Sequence, residues 1–275
     1  MRKKVAGRAL AFSRGLWYDS SQLKQIKDFR MKIFLRFLVV LVSLSAWAST
    51  DAEKQGSGMM NAVTPSTAEG ASGGVRVVFL GNSITLHAPL RKIGWTNSWG
   101  MAASAREKDY VHLVAKAIGE KTGRPVDLRI RNLAGFERNY RAWDAEKELA
   151  DLVALRPDYL VVALGENVPN LARPVDREDF YKGFVRLLRC FQTGDSRPRT
   201  VVRGVFWRNP VKDEQMRRAA QEVGVPFVRT DFADEPGMKA TGLFEHPGVQ
   251  NHPSDKGMAE TAARIVAAFF PAGNR

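Results

Sequence analysis

The chain has 275 residues, 44% of them hydrophobic, which is enough to bury one substantial core. Its formal net charge is +13, but much of the basic excess lies in residues 1–48. Beyond residue 48 the basic residues are scattered among acidic ones, without a run that would follow a phosphate backbone. The charge pattern therefore argues against a nucleic-acid partner.

Residues 31–48 have the composition of a secretory signal. A short basic region follows Met31, residues 37–44 are apolar, and Ala46 and Ala48 are the small residues that signal peptidase prefers. The apolar run is too short to span a bilayer. We therefore expect cleavage after Ala48 and a secreted or periplasmic protein without a stable membrane anchor.

The rest of the chain divides into three parts by composition. Residues 1–30 are polar and basic and precede a complete signal, so we interpret them as an over-extended gene start. Residues 49–74 are rich in Ser, Thr, Ala and Gly and have no apolar period, which predicts a flexible linker. Residues 75–275 alternate strand-like and helix-like patterns, which predicts one folded domain.

The predicted elements of this domain alternate in type along the chain. Strands are predicted at 75–80, 126–132, 158–164, 200–206 and 226–229, and helices at 110–122, 143–155, 176–191, 213–223 and 256–270. The run at 158–164 is the most continuously apolar, so we expect a central strand that is buried on both faces. The alternation predicts a three-layer α/β/α sandwich around a mainly parallel, five-stranded sheet.

Cys190 is the only cysteine in the chain. No intramolecular disulfide and no cysteine metal site can therefore form. Because it lies in a helical apolar pattern, we expect it to pack against the core.

A serine follows the first predicted strand directly, in the turn Gly81-Asn82-Ser83-Ile84-Thr85. At the carboxyl end of a parallel strand, the next turn faces the crevice in which open α/β sheets place their chemistry. Ser83 is therefore placed like a nucleophile. Taken alone, such a turn is more often only a turn and a helix N-cap.

Three distant segments give this serine a context. They are Asn132-Leu133-Ala134-Gly135, Gly165-Glu166-Asn167 and His252-Pro253-Ser254-Asp255-Lys256-Gly257, and the first two also follow predicted strands. In order and setting, residues 75–270 resemble the SGNH (GDSL-type) hydrolase superfamily, whose four blocks supply Ser, Gly, Asn and His. One position departs from the family pattern, because Val249 stands where the family usually has Asp, three residues before the catalytic His.

The resemblance implies a serine esterase on the same α/β fold. Ser83 would attack an ester carbonyl, and His252 would accept its proton and pass it to the leaving alcohol. The backbone amides of Ser83 and Gly135, with the side chain of Asn167, would form the oxyanion hole. No metal or cofactor is implied.

The valine at position 249 leaves open which group orients the His252 ring. Glu245 lies in a nearby loop with the reach to turn back to the ring, and we favour it slightly as the third catalytic residue. The alternative is a backbone carbonyl at Nδ1, which would make the site a Ser-His dyad. Asp255 is instead expected to cap the closing helix.

The candidate substrate-binding residues are Trp95 and Trp99, in the irregular stretch 86–108, and Trp207, because sugar rings stack on indoles. The alternative is that the two loop tryptophans only cover the sheet. With the expected export, these residues favour an esterase that removes acetyl or other small acyl groups from a carbohydrate.

Two other functions stay open. The family also contains lipases and thioesterases, and the missing Asp allows a catalytically weak carbohydrate-binding relative. In each case the expected partner is a glycan or small-molecule ester, and the oligomeric state is not predicted.

Overall fold

The computed structural model describes residues 73–192 and 197–272. The predicted gene start, the signal and nearly all of the linker lie outside the described residues. Within the described ranges, no helix combines the length and the apolar character needed to cross a bilayer.

Five parallel strands form one sheet in the order β2-β1-β3-β4-β5. The strands are β1 (Val75–Gly81), β2 (Val126–Asn132), β3 (Tyr159–Ala163), β4 (Arg199–Arg203) and β5 (Phe227–Val228). The chain leaves β1 toward β2 and later returns to the other side of β1 as β3, so the strand order reverses at this point. A crevice at the carboxyl ends of β1 and β3 is where such sheets bind ligands.

Helices connect and cover these strands. They are α1 (Tyr110–Thr122), α2 (Ala134–Asn139), α3 (Ala145–Ala154), α4 (Pro174–Arg189), α5 (Pro210–Val223), α6 (Pro247–Gln250) and α7 (Asp255–Phe269). The five predicted helices are all present within a few residues of their expected ends. The two short helices α2 and α6 were not predicted, and both lie in the candidate site.

Two apolar clusters pack against the sheet, one on each face. Along β1, Val78 and Leu80 join the cluster that is covered by α2, α3, α4 and α5. Val77 and Phe79 join the other cluster, which is covered by α1 and α7. This period of two is what a strand buried on both faces requires. The predicted three-layer α/β/α class is confirmed, as is the central position of β3, whose five residues are all buried.

Cys190 follows α4 and is half-buried against the first of these clusters, as predicted. Burial raises the pKa of its thiol, so the neutral form is favoured. These are the properties of a packing residue.

Candidate active site

Ser83 and His252 meet although 169 positions separate them in the sequence. Ser83 lies in the turn after β1, which closes through the amides of Thr85 and Leu86 on the Asn82 carbonyl at 3.0 and 2.9 Å. The Ser83 Oγ is 2.8 Å from the Nε2 of His252. That distance allows direct proton transfer between the two groups.

A backbone carbonyl fixes the tautomer of His252. Its Nδ1 lies 2.7 Å from the carbonyl oxygen of Gly248. Because a carbonyl oxygen only accepts, Nδ1 must carry the proton, and Nε2 then presents a lone pair to the Ser83 hydroxyl. Burial lowers the pKa of His252 below its ordinary value, and His87 lowers it further, so the ring is neutral at pH 7.

The structure does not place Glu245 at this ring. Glu245 is exposed, and the Gly248 carbonyl occupies the hydrogen-bonding position at Nδ1. The Gly248 carbonyl takes this position because of α6, a helix of a single turn that is too short to show a repeating apolar pattern in the sequence. It folds the chain so that the carbonyl of Gly248 reaches the side chain four residues later.

Val249, at the position of the family's Asp, is completely buried and belongs to an apolar cluster with Trp95 and Ala240. The position therefore serves the packing of the loops. A carboxylate placed there would lie among apolar groups.

The expectation that Asp255 caps the closing helix is wrong. The N-cap of α7 is Ser254, whose Oγ accepts from the Gly257 amide at 3.2 Å. The Asp255 carboxylate instead accepts from the amide and hydroxyl of Ser104, at 2.8 and 2.7 Å, and from Lys108 Nζ at 3.0 Å. Its role is to tie the loop before α1 to the start of α7.

The predicted oxyanion donors lie at the ends of adjacent strands. Gly81, at the end of β1, is in register with Asn132, at the end of β2, and Gly135 is the second residue of the helix that follows. Within the described ranges, neither the Ser83 amide nor the Gly135 amide has a hydrogen-bond acceptor. A Cβ atom built on Gly135 would meet no protein atom within 4 Å, so the space beside this amide is open.

Asn167 follows β3, on the other side of β1. The chain turns at Gly165, where φ is +126°, a conformation that favours glycine. The side-chain Nδ2 of Asn167 donates one hydrogen bond to Glu137 Oε2, at 2.5 Å. An amide nitrogen carries two hydrogens, so one remains for a substrate oxygen.

The sequence interpretation missed a buried ionic cluster beside these donors, made of Glu137, Glu166, Arg203 and Lys212. Glu166 and Arg203 form an ion pair at 2.7 Å, with only 3% and 1% of their side chains exposed. The sequence did contain a signal, because an arginine inside the apolar run 200–206 needs a buried partner. The identity of that partner depends on how the strands pair.

The three tryptophans differ in accessibility. Trp95 is completely buried, with its ring centroid 6.1 Å from those of both Trp99 and Phe244, so its predicted contact with substrate is wrong. The loop tryptophans lie in an apolar cluster because the stretch 86–108 folds onto the residues around α6. Trp99 is half-buried and donates from Nε1 to the Ala103 carbonyl at 3.0 Å.

Trp207 is also half-buried, and it packs against the ring of His252. Its ring stands at 90° to the ring of His252, with 5.4 Å between centroids. Its Nε1 donates to the carbonyl of Asn251 at 3.1 Å. Trp207 therefore braces the segment that carries His252.

No protein-family model and no curated protein matches this chain. Among solved structures, an α/β hydrolase from the metagenome of Lake Arreo in Spain is similar, with a TM-score of 0.48 and 21% identity; the match covers 71% of this chain and 95% of the other. A mutant of an acetyl-xylooligosaccharide esterase from Geobacillus stearothermophilus has a TM-score of 0.48 and 18% identity, over 74% and 97% of the two chains. A carbohydrate acetylesterase from Sinorhizobium meliloti has a TM-score of 0.47 and 14% identity, over 70% and 96%. At TM-scores below 0.5, these likenesses assign no activity to this chain.

Proposed function

We propose that this chain is a serine esterase of SGNH type that works through an acyl-enzyme. The observation that supports this most strongly is the 2.8 Å contact between Ser83 Oγ and His252 Nε2, at the carboxyl end of β1. The pairing joins a nucleophile to a base of the correct tautomer. It also lies at the crevice that this sheet topology provides.

The reaction follows from the hydrogen bonds of the ring. His252 Nε2 takes the proton as Ser83 Oγ attacks the ester carbonyl, and the imidazolium then gives that proton to the leaving alcohol. In the second half, His252 takes a proton from water, the hydroxide attacks the acyl-enzyme, and Ser83 Oγ leaves with the proton. The lowered pKa of His252 keeps the ring neutral and ready to accept at pH 7.

The charge that develops on the carbonyl oxygen would be stabilised by three N–H groups. These are the amides of Ser83 and Gly135, which have no acceptor among the described residues, and the second hydrogen on Asn167 Nδ2. Each comes from the end of a different, neighbouring strand, so the sheet sets their spacing. Such preorganised donors supply a large share of transition-state stabilisation in acyl transfer.

The base would act as part of a dyad. Within the described residues, the hydrogen bonds of the His252 ring go to Ser83 and to the Gly248 carbonyl, and no carboxylate joins them. A carbonyl dipole holds the tautomer but stabilises an imidazolium less than a carboxylate does. We therefore expect an active enzyme with a lower kcat than a triad enzyme on the same ester.

For the substrate we propose a carbohydrate that carries acetyl or other small acyl groups. Trp207 supports this choice, because it offers a partly exposed indole next to His252 on which a sugar ring can stack. The proposed export by residues 31–48 agrees with an extracellular or periplasmic glycan. Trp95 does not support a sugar-binding role, because it is buried.

A series of p-nitrophenyl esters with increasing acyl length tests the class of ester. We expect the highest kcat/KM for acetate and a steep fall by octanoate, with Ser83→Ala as the inactive control. A maximum at octanoate would favour the lipase or thioesterase alternative, and binding without turnover would favour a weak carbohydrate-binding relative. Acetate release from acetylated xylan, pectin, sialic acid and peptidoglycan fragments then identifies the natural substrate.

A further inference from the structure

Glu137, on α2, is a completely buried carboxylate that joins three strand ends. Its Oε1 accepts from Asn82 Nδ2 at 3.0 Å and from the Gly165 amide at 2.6 Å. The Asn167 side chain donates to its Oε2 at 2.5 Å, and the Asn167 amide adds a longer contact to Oε1 at 3.3 Å. Asn82 follows β1, Gly165 and Asn167 follow β3, and Glu137 itself follows β2.

These contacts decide which end of the Asn167 side-chain amide, the NH₂ group or the oxygen, faces Glu137. A carboxylate only accepts hydrogen bonds, so it binds the NH₂ group of Asn167 and repels the amide oxygen. One Nδ2 hydrogen of Asn167 is held by Glu137. Because the amide group is planar, this contact also fixes the direction of the second Nδ2 hydrogen. Without that carboxylate, the side chain would be free to rotate and present its oxygen to a developing oxyanion.

The contact to Asn82 extends this control to the nucleophile turn. Both hydrogens of Asn82 Nδ2 are used, one on Glu137 and one on Glu166 Oε2 at 2.6 Å. Its Oδ1 accepts from the Ile84 amide at 3.1 Å, which spans the peptide of Ser83. The position of the Ser83 amide therefore depends on the same carboxylate that orients Asn167.

A buried negative charge beside an oxyanion would oppose catalysis unless cations balance it. Arg203 pairs with Glu166 at 2.7 Å, and Lys212 Nζ donates to the carbonyls of Gly165 and Glu166 at 3.0 and 3.2 Å. The four charges of the cluster sum to zero. Burial and the neighbouring Glu166 raise the pKa of Glu137, whereas its four N–H partners suit the ionised form.

We infer that Glu137 is a positioning residue that orients Asn167 and the Ser83 turn for oxyanion stabilisation. This inference rests on the proposed esterase function. Glu137 touches no reacting atom, and its effect on the rate is transmitted through Asn167 and Asn82.

A double-mutant cycle between Glu137→Gln and Asn167→Ala tests this route, with p-nitrophenyl acetate as substrate. A glutamine presents an NH₂ group to donors that need an acceptor, so kcat should fall by about tenfold or more while KM stays within about threefold. In the Asn167→Ala background, the same substitution should lower kcat by only about threefold, because Asn167 is gone and only the route through Asn82 to the Ser83 turn remains. Additive effects, or an unchanged kcat in Glu137→Gln, would overturn the inference.

Asp213→Asn is the matched control. Asp213 is another buried carboxylate, which accepts from the Val205 amide at 2.9 Å and does not contact Asn167. Its substitution should leave kcat within about twofold of the wild type. If kcat fell as far in Asp213→Asn as in Glu137→Gln, the loss would follow from removing any buried carboxylate near the carboxyl ends of the strands. That result would also overturn the inference.

The Asn167 side-chain NH₂ signals in a ¹⁵N spectrum, assigned by their loss in Asn167→Ala, provide a readout that does not need activity. One proton should lie downfield of ordinary asparagine amides because it is donated to a carboxylate. This measurement decides the inference even if Glu137→Gln fails to fold. The measurement also separates the positioning role of Glu137 from the esterase function. A downfield proton in a protein without esterase activity would support the contact and reject the function. Ordinary shifts in an active enzyme would reject the positioning role.

Discussion

The groups on the two sides of Ser83 are held by different kinds of contact. On one side, His252 is held by one backbone carbonyl and by a perpendicular ring contact with Trp207. On the side of the oxyanion donors, the cluster of Glu137, Glu166, Arg203 and Lys212 holds the strand ends.

The buried charged side chains near Ser83 therefore lie beside Asn167 and not beside the His252 ring. A triad enzyme places a carboxylate behind the histidine, whereas here Glu137 and Glu166 lie behind the proposed oxyanion donors. Arg203 Nε has no hydrogen-bond partner among the described residues, and removal of any one member of the cluster would leave further buried groups unpaired. Substitutions in the cluster behind Asn167 should therefore affect both stability and kcat. Loop substitutions on the side of His252 should change kcat only at His252 and its direct contacts, although a substitution in the buried apolar cluster of Val249 would lower stability.

The largest effect is expected at the base itself. His252→Ala removes the group that takes the Ser83 proton, so kcat on p-nitrophenyl acetate should fall by about 1,000-fold or more. The control is His246→Asn, because His246 is exposed and caps α6, and asparagine preserves an N-cap acceptor. Equal losses in the two variants would mean that the base had been assigned to the wrong histidine.

On the oxyanion side, Asn167→Ala should lower kcat by about 100 to 1,000-fold with little change in KM. The Asn167 hydrogen bond strengthens only as charge develops on the substrate oxygen, so ground-state binding is spared. Steady-state kinetics separate the two parameters. A rise in KM at constant kcat would make Asn167 a residue of substrate binding.

How much of this arrangement the sequence predicts depends on the length and periodicity of each element. The strand β1 is predictable because it is an apolar run of strand length. The helix α1 is predictable because Asp109 is an N-cap residue type and the following apolar residues Val111, Val114, Ala115 and Ile118 fall on one helical face. Helices of four and six residues have fewer than two turns of 3.6 residues, so their apolar pattern does not repeat, and α6 and α2 could not be predicted.

The contacts that orient His252 and Asn167 could not be predicted for a different reason. A backbone carbonyl such as that of Gly248 is present at every residue, so nothing in the sequence marks it as a hydrogen-bond partner. The partners of Glu137 come from segments that lie 28 to 55 positions away and meet only when the sheet forms. The burial of Trp95 likewise depends on a tertiary contact with Phe244.

Restoring the family's acid tests whether the base side lacks only a carboxylate. Val249→Asp would bury an unpaired carboxyl in the apolar cluster with Trp95 and Ala240, so stability should fall by about 3 kcal/mol, with no gain in kcat. Urea unfolding gives the stability, and Val249→Thr, of similar shape but uncharged, is the control. A stable and faster Val249→Asp enzyme would show that the carboxylate was missing and could be accommodated.

The pH profile reports the environment of the base. Burial lowers the pKa of His252 below its ordinary 6.5, and the neutral ring is the active form. The kcat/KM on p-nitrophenyl acetate should therefore rise with pH along a limb whose midpoint lies below 6.5, and it should exceed half of its maximum at pH 7. A midpoint above pH 7 would indicate a carboxylate close to the ring.

The smallest effect is expected at Glu245, which is exposed and which the structure does not place at the ring. Glu245→Gln should keep kcat within about twofold of the wild type, because the Gly248 carbonyl holds Nδ1 without it. Steady-state assays at pH 7 are sufficient. If kcat instead falls by about tenfold, Glu245 reaches the ring during turnover and the site is a triad.

Covalent labelling tests the assignment of the nucleophile most directly. A fluorophosphonate probe, followed by intact-mass and peptide mass spectrometry, should add one group to the folded protein, at Ser83. Ser83→Ala should not be labelled, and Ser98→Ala, which changes an exposed serine of the loop before α1, should be labelled like the wild type. Labelling of another serine, or a folded wild-type protein that takes no label, would contradict the account of Ser83 and His252 as a catalytic pair.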